Sequence, residues 1–148
     1  MISQKQKNER LEVFRTKCRA NGLSVTPQRK AIYEILADAK DHPRAEDVYE
    51  RLQQSHPEIS LDTVYRTLGT FSELGFIHLV EGYGEARRYD PDMDPHHHFR
   101  CIKCGRIVDF HDDTFDRLKV PAAFQKKYRV ASVKVVLEGF CEICMKTA

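Results

Sequence analysis

The chain has 148 residues, enough for one large domain or two small ones, and its 41% hydrophobic and 31% charged residues are typical of globular proteins. No apolar run approaches the roughly 20 residues of a membrane span, and the first residues lack the apolar core of a signal peptide. We therefore expect a cytoplasmic protein without a membrane partner, in which thiols stay reduced.

The net charge of +2 conceals a basic segment at the start of the chain. Residues 1–30 contain eight Lys or Arg residues but only two Glu residues. On charge alone, this excess suits a polyanionic partner and a solvated helix face equally well.

Four helices are predicted in the first half of the chain, at about 9–19, 27–39, 44–55 and 61–74. Thr26 and Ser60 are suited to cap the second and fourth helices, and Gly75 is suited to end the fourth. The apolar positions of these helices recur at helical spacing, which predicts that each is amphipathic with one inward face.

The outward face of the fourth predicted helix combines hydroxyls, an aromatic ring and a guanidinium, without the mixture of Glu and Lys usual on a solvated face. Such side chains suit contacts with phosphates and base edges in a DNA major groove. The predicted DNA contacts are Arg29, Thr63, Tyr65, Arg66 and Thr67.

Two short strands, at 76–80 and 85–89, are predicted around a glycine turn at 81–84. A helix pair followed by such a hairpin predicts a winged helix-turn-helix domain over residues 1–90, in which Arg87 and Arg88 can reach phosphate. A small α+β domain that binds no nucleic acid is the alternative.

The second half, residues 96–148, follows a predicted hinge at about 88–95 and has strand character. Strands are predicted at 99–102, 106–110 and 130–138, with a helix at 115–128 despite the proline inside it. The fold class is therefore α+β, with a winged helix domain followed by an α/β domain.

Two Cys-x-x-Cys pairs dominate the second half: Cys101 with Cys104, and Cys141 with Cys144. Each spacing lets one tight turn aim two sulfur atoms at one point, so together the pairs predict a four-thiolate structural zinc site. Disulfides or redox pairs are the alternative, which a reducing compartment disfavours. The fifth cysteine, Cys18, lies at helical spacing among apolar residues and is predicted to be a core thiol.

A second set of ligands combines imidazoles with carboxylates. His96 and His98 share one face of a strand, whereas His97 points away from it. With Asp90 and Asp109 nearby in the sequence, this chemistry suits iron, manganese or zinc.

These motifs resemble the ferric uptake regulator family of metal-dependent transcription repressors. The resemblance covers essentially the whole chain, and it rests on residues 26–29, 42–49, 60–68 and 96–105 and on the final Cys-x-x-Cys pair. It implies a homodimer that binds a palindromic DNA operator through the winged helix domain. It also implies that the C-terminal domain holds the zinc and forms the dimer.

Within that family the chain is most similar to the peroxide-sensing branch, because the iron-sensing branch tends to have glutamates where this chain has Asp90 and Asp109. The resemblance implies a regulatory iron or manganese site. Its ligands would be His42, Asp90, His96, His98 and Asp109. It also implies that peroxide oxidises His42 and His96 through bound iron, which releases the metal and ends repression.

The chain departs from the family at a further metal site of the dimerisation domain. The matching positions are Pro95, His97, Asp116 and Val133, of which two cannot bind metal, so we expect that site to be absent.

Other functions remain open at this stage. Iron-, zinc- and nickel-responsive repressors of the same family are alternatives. We do not expect an enzyme, because a metallohydrolase would require a base that no His-Glu-x-x-His motif supplies here. Metal storage would not need the polar face of the fourth helix.

Overall fold

The computed structural model describes residues 2–80 and 87–147. The chain divides into two compact units, Met1–Met93 and Asp94–Ala148. That the first unit binds DNA and the second forms a dimer stays a prediction. No helix in the described part of the chain is long and apolar enough to cross a membrane.

The first unit contains four helices and a pair of antiparallel strands. They are α1 (Gln4–Ala20), α2 (Pro27–Asp38), α3 (Ala45–Leu52), α4 (Leu61–Glu73), β1 (His78–Val80) and β2 (Arg88–Asp90). All four predicted helices are confirmed, although α1 begins earlier because Ser3 and Gln6 form a capping box. The predicted turn at 81–84 and residues 85–86 lie outside the described residues.

The predicted helix caps are confirmed. The hydroxyl of Thr26 accepts the Arg29 N–H at 3.2 Å, and that of Ser60 accepts the Thr63 N–H at 3.1 Å. Each bond satisfies one backbone donor that the first helical turn leaves unpaired, so the caps fix where α2 and α4 begin.

Aromatic rings form the centre of the first unit. Phe14 stacks on Tyr33 with ring centroids 4.2 Å apart, and Phe71 and Phe76 meet Phe14 edge to face. Because Phe71 belongs to α4, this packing fixes which face of α4 points inward. Tyr65 and Arg66, two of the predicted DNA contacts of that helix, remain exposed.

The second unit contains a three-stranded sheet with short helices. Its elements are β3 (His97–Cys101), β4 (Ile107–Phe110), α5 (Asp113–Asp116), α6 (Ala122–Lys127), β5 (Val136–Gly139) and α7 (Glu142–Lys146). The strand order is β4-β3-β5, with β3 antiparallel to β4 and parallel to β5.

Two predicted elements of the second unit are wrong in extent. The helix predicted at 115–128 is interrupted, because Pro121 has extended ψ and precedes α6 as its N-cap. The strand predicted at 130–138 is paired only from Val136 onward, where it lies beside β3.

The hydrophobic cluster of the second unit is small. It consists of Cys101, Cys141 and Cys144, with Phe99 packed against them. A core of this size contributes little stability by itself, so the unit has the character of a small domain that depends on a metal or cross-link.

Candidate metal centres and nucleic-acid interface

The four cysteines of the two Cys-x-x-Cys pairs converge in the second unit. Their Sγ atoms all lie within 4.8 Å of one another, and those of Cys104 and Cys141 are 3.9 Å apart. A tetrahedral zinc with metal–sulfur distances of about 2.3 Å requires sulfur atoms about 3.8 Å apart. All five cysteines of the chain are free thiols, so the geometry fits a metal rather than disulfides.

The turn after the first pair has the backbone that such a site needs. Gly105 has φ 76°, and its N–H donates to the carbonyl of Cys101 at 2.9 Å. A residue with a side chain is strained at this φ, which explains the glycine. Cys141 and Cys144 come from the N-cap and the first turns of α7.

Backbone and side-chain contacts make the thiols unequal. Hydrogen bonds from backbone N–H groups, at Cys104 and then at Cys141, lower the pKa of Cys101 to about 6. Burial, followed by hydrogen bonds with the other thiols, raises the pKa of Cys144 to about 12. Thiolates are the zinc ligands, so metal binding must displace protons from this cluster.

Two contacts outside the cysteine cluster join its halves. Arg106 Nη1 lies 2.8 Å from Glu142 Oε1, and Lys103 Nζ lies 3.0 Å from Thr147 Oγ1. Each contact links the segment of the first cysteine pair to that of the second. The halves of the cluster are therefore held together by side chains as well as by the sheet.

A His–Asp pair is buried in the first unit. His42 Nε2 lies 3.3 Å from Asp90 Oδ2, and both residues are less than 5% exposed. The Tyr89 N–H donates to the Pro43 carbonyl at 3.0 Å, which holds the His42 segment against β2.

His42 has a strained backbone. In the described part of the chain it is the only non-glycine residue with positive φ, at 51°. Such a conformation costs on the order of 1 kcal/mol or more and persists where the surroundings enforce it, often at functional sites. The strain and burial together mark His42 as a candidate ligand, which composition alone did not.

Three further candidate ligands converge within the second unit. His96 Nε2 and His98 Nε2 are 3.1 Å apart, and Asp109 Oδ1 lies 3.6 Å from the first and 3.1 Å from the second. His98 and Asp109 are direct partners in the β3–β4 register, so the sheet itself places them together. Two imidazoles and one carboxylate on one side of a prospective ion suit iron or manganese.

A backbone carbonyl orients one of these ligands. His96 Nδ1 lies 2.6 Å from the Asp94 carbonyl, which can only accept, so Nδ1 carries the proton. This tautomer leaves the Nε2 lone pair available to a metal, as is usual for ligating histidines. The sequence held no signal for this contact.

His97 points to the other face of β3, as the strand period predicts. Its Nδ1 accepts the Val135 N–H at 3.1 Å, and its Nε2 lies 2.7 Å from Asp116 Oδ1. Both ring nitrogens are therefore engaged by the protein itself. This geometry favours a hydrogen-bonded pair over the further metal site of the family, for which Pro95 and Val133 offer no ligand atom either.

Two of the predicted DNA contacts of α4, Tyr65 and Arg66, are exposed, and Thr63 and Thr67 are half-buried. Tyr65 is 44% exposed, and the Arg66 side chain is 74% exposed in a 3.1 Å ion pair with Asp62. Thr67 lines a surface cavity of about 540 Å³ together with Arg29, so α2 and α4 present side chains to one concave surface. Thr63 lies one turn before Thr67, at the capped start of α4.

One contact of Tyr65 was not predicted. The hydroxyl of Tyr65 donates to the Glu46 carboxylate of α3, 19 residues earlier in the chain. Neither residue type at that separation gives a sequence signal, because the contact depends on how α3 and α4 pack.

Comparisons with known protein families and sequences identify relatives of this chain. The model of the ferric uptake regulator family matches residues 20–138. The peroxide operon regulator of Bacillus subtilis is 37% identical over 126 residues, covering 84% of this chain and 86% of the relative.

Solved structures show the same fold. The ferric uptake regulator of Helicobacter pylori, described as having three functional metal-binding sites, superposes with a TM-score of 0.77 at 24% identity, covering 98% and 97% of the two chains. PerR from Streptococcus pyogenes, solved to explain peroxide sensing and gene regulation, has a TM-score of 0.53 at 31% identity and covers 90% and 92%. The chain belongs to the ferric uptake regulator family.

Proposed function

We propose that the protein is a homodimeric, metal-dependent transcriptional repressor that binds a palindromic operator and senses hydrogen peroxide. The observation that carries this proposal is the pair of ligand sets, His42 with Asp90 in the first unit and His96, His98 and Asp109 in the second. The choice of signal is supported by the similarity to the peroxide operon regulator of Bacillus subtilis and to the peroxide-sensing PerR of Streptococcus pyogenes.

In this proposal a structural zinc binds Cys101, Cys104, Cys141 and Cys144. The close sulfur atoms and the lowered pKa of Cys101 support it. Because the hydrophobic cluster of the second unit is built from these cysteines, zinc binding and folding of the unit are one process.

Iron or manganese is the proposed regulatory metal, bound by His42, Asp90, His96, His98 and Asp109. Ligands from both units would couple metal binding to the arrangement of the DNA-binding unit, and that coupling is reciprocal. Bound iron would activate peroxide, which would transfer one oxygen atom to a neighbouring imidazole ring and leave as water. His42 and His96 are the proposed sites of oxidation, and adding an oxygen atom to an imidazole ring would make its nitrogen a poor metal ligand.

The DNA contacts in this proposal are Arg29, Thr63, Tyr65, Arg66 and Thr67. A two-fold dimer would place two copies of α4 in successive major grooves, about 34 Å apart. The second unit exposes large apolar side chains suited to such a dimer, and β5 has exposed residues on both faces. These apolar residues include Phe124, Tyr128, Val136 and Phe140.

An iron-responsive or other metal-responsive repressor is the second candidate. Imidazole and carboxylate ligands bind iron, manganese, zinc and nickel, and affinity alone does not select among them. The two candidates share the DNA interface and differ in the signal that ends repression.

One experiment separates these functions. The zinc-containing protein is loaded with iron or manganese, treated with peroxide, and examined by gel shift and peptide mass spectrometry. Peroxide sensing predicts a gain of about one oxygen on peptides containing His42 or His96 in the iron form only, with loss of DNA binding. Intact histidines and retained DNA binding in the iron form would identify a metal sensor, and no metal-dependent DNA binding would exclude both candidates.

A further inference from the structure

Tyr65, on the exposed face of α4, is held by a carboxylate from a neighbouring helix. Its hydroxyl donates to Glu46, in the first turn of α3. The α3 dipole accounts for a carboxylate at this position, because anions are stabilised at helix N-termini. The dipole alone does not explain why this carboxylate binds the hydroxyl of Tyr65.

Of the two acidic residues in the first turn of α3, Glu46 is the one that accepts the Tyr65 hydroxyl. The other acidic residue of the same turn, Asp47, binds Arg44 through contacts of 2.9 to 3.2 Å. The hydrogen bond from Tyr65, assisted by the charge of Arg44, lowers the pKa of Glu46, so the carboxylate is ionised at neutral pH.

The donated proton restricts what Tyr65 can do on DNA. A phenol has one O–H, so while Glu46 accepts it the oxygen can only accept in turn. Phosphate oxygens are acceptors, and the Glu46 charge repels them. Tyr65 can therefore contribute to recognition through its ring and its acceptor lone pair, both of which depend on a fixed ring orientation.

We infer that Glu46 is a positioning residue for operator recognition, which fixes the ring of Tyr65 on α4 and does not itself contact DNA. This inference rests on the proposed function. The bond immobilises an exposed side chain before DNA arrives, which reduces the ordering cost of binding. Glu46 thus favours specific binding while its charge opposes non-specific binding.

The two effects of Glu46 have opposite signs, which makes the inference testable. Loss of a negative charge alone strengthens binding to every DNA duplex. Loss of a positioning contact weakens binding to the operator alone. Glu46→Ala therefore distinguishes a positioning residue from a carboxylate that merely competes with phosphate.

The experiment uses the 148-residue, zinc-containing, manganese-loaded protein and two duplexes of equal length. The first is the sequence that the wild-type protein enriches from a random-sequence library, and the second is its scrambled counterpart. The variants are Glu46→Ala, Glu46→Gln, Tyr65→Phe and the double variant Glu46→Ala with Tyr65→Phe. Glu50→Ala, on the same helix, is the matched control for loss of one negative charge.

Glu46→Ala and Tyr65→Phe should each weaken binding to the enriched duplex about fivefold to thirtyfold. The double variant should bind no more weakly than Tyr65→Phe, because the hydroxyl through which Glu46 acts is already absent there. Binding to the scrambled duplex should be unchanged or tighter. Glu46→Gln should bind the enriched duplex at least as tightly as the wild type, since its amide oxygen still accepts the hydroxyl and the charge that repels phosphate is gone.

Tighter binding of Glu46→Ala to the enriched duplex, additive losses in the double variant, or an equal loss in Glu50→Ala would overturn the inference. The side chains of Glu46 and Tyr65 are exposed, so the variants should fold. Melting curves that match that of the wild-type protein would confirm this. A wild-type protein that enriches no sequence would overturn the proposed function together with this inference. If the wild-type protein enriches a sequence and the Glu46 variants bind that sequence as tightly as the wild type, only the inference is overturned.

Discussion

His97 Nε2 lies 2.7 Å from Asp116 Oδ1, and this contact ties the first residue of β3 to the last residue of α5. The same ring accepts the Val135 N–H and lies near Phe110 and Phe115, with centroids 5.7 and 5.9 Å away. The candidate ligands His96, just before β3, and His98, within it, contact each other on the other side of the chain. A side chain with no proposed metal role therefore fixes the strand that presents two ligands.

We predict that His97→Ala destabilises the second unit by about 2–4 kcal/mol, because a buried ring is lost and the Val135 N–H loses its acceptor. Denaturant unfolding of the zinc-containing protein measures this change. Asp116→Asn is the matched variant, since its side-chain oxygen still accepts from His97, and it should cost much less.

Metal analysis of the same variants tests the alternative role of His97. Wild type, His97→Ala and Asp116→Asn should all bind the same number of zinc and manganese ions per chain. One ion fewer in both variants than in the wild type would instead identify His97 and Asp116 as ligands.

The second prediction concerns zinc. Cys101→Ser should lose the bound zinc, the fold of the second unit and the dimer together, because the thiolate ligands form most of the hydrophobic cluster of that unit. Metal analysis, circular dichroism and sedimentation measure the three properties. Cys18→Ser, which changes a buried thiol outside the cluster, should keep its zinc. A folded, dimeric Cys101→Ser protein without zinc would contradict the proposal.

Local signals predicted the elements that short-range chemistry determines. Thr26 and Ser60 cap the helices predicted for them, and Gly75 follows the end of α4 with a φ of 75°, which favours glycine. The four helices followed from apolar spacing, because one shared core requires one inward face from each helix.

Features that depend on tertiary packing were predicted poorly or not at all. The helix at 115–128 was wrong because Pro121 supplies no N–H and begins a new helix instead of continuing one. The contact between Glu46 and Tyr65 and the strain at His42 arise from packing between segments far apart in sequence. The His42 role came only from family resemblance, and its ligand role stays a prediction.

The third prediction uses the strain at His42. Asn tolerates positive φ better than most residues, so His42→Asn should leave the melting temperature of the zinc-containing protein nearly unchanged. It should nevertheless lower manganese affinity by tenfold or more and abolish manganese-dependent DNA binding, since the proposed metal loses one ligand from the first unit. Isothermal titration and gel shift measure these effects.

The matched control for His42→Asn is His56→Asn, which changes a histidine of the same unit that is not a proposed ligand. It should bind manganese and DNA like the wild type. Normal manganese affinity in His42→Asn would show that His42 is not a ligand.

The last prediction concerns the charges on α4. Arg66→Ala should weaken binding to the enriched duplex by about 1–3 kcal/mol if Arg66 contacts a base. If it contacts only phosphate, binding should weaken equally on the enriched and scrambled duplexes, with a salt slope smaller by about one.

Asp62 pairs with Arg66 at 3.1 Å, so Asp62→Asn should release the guanidinium and strengthen binding to both duplexes at low salt. Arg51→Ala removes the same charge from α3, where Arg51 binds Asp41, and should leave DNA affinity nearly unchanged. Equal losses in Arg66→Ala and Arg51→Ala would mean that net charge, and not the outward face of α4, determines the affinity for DNA.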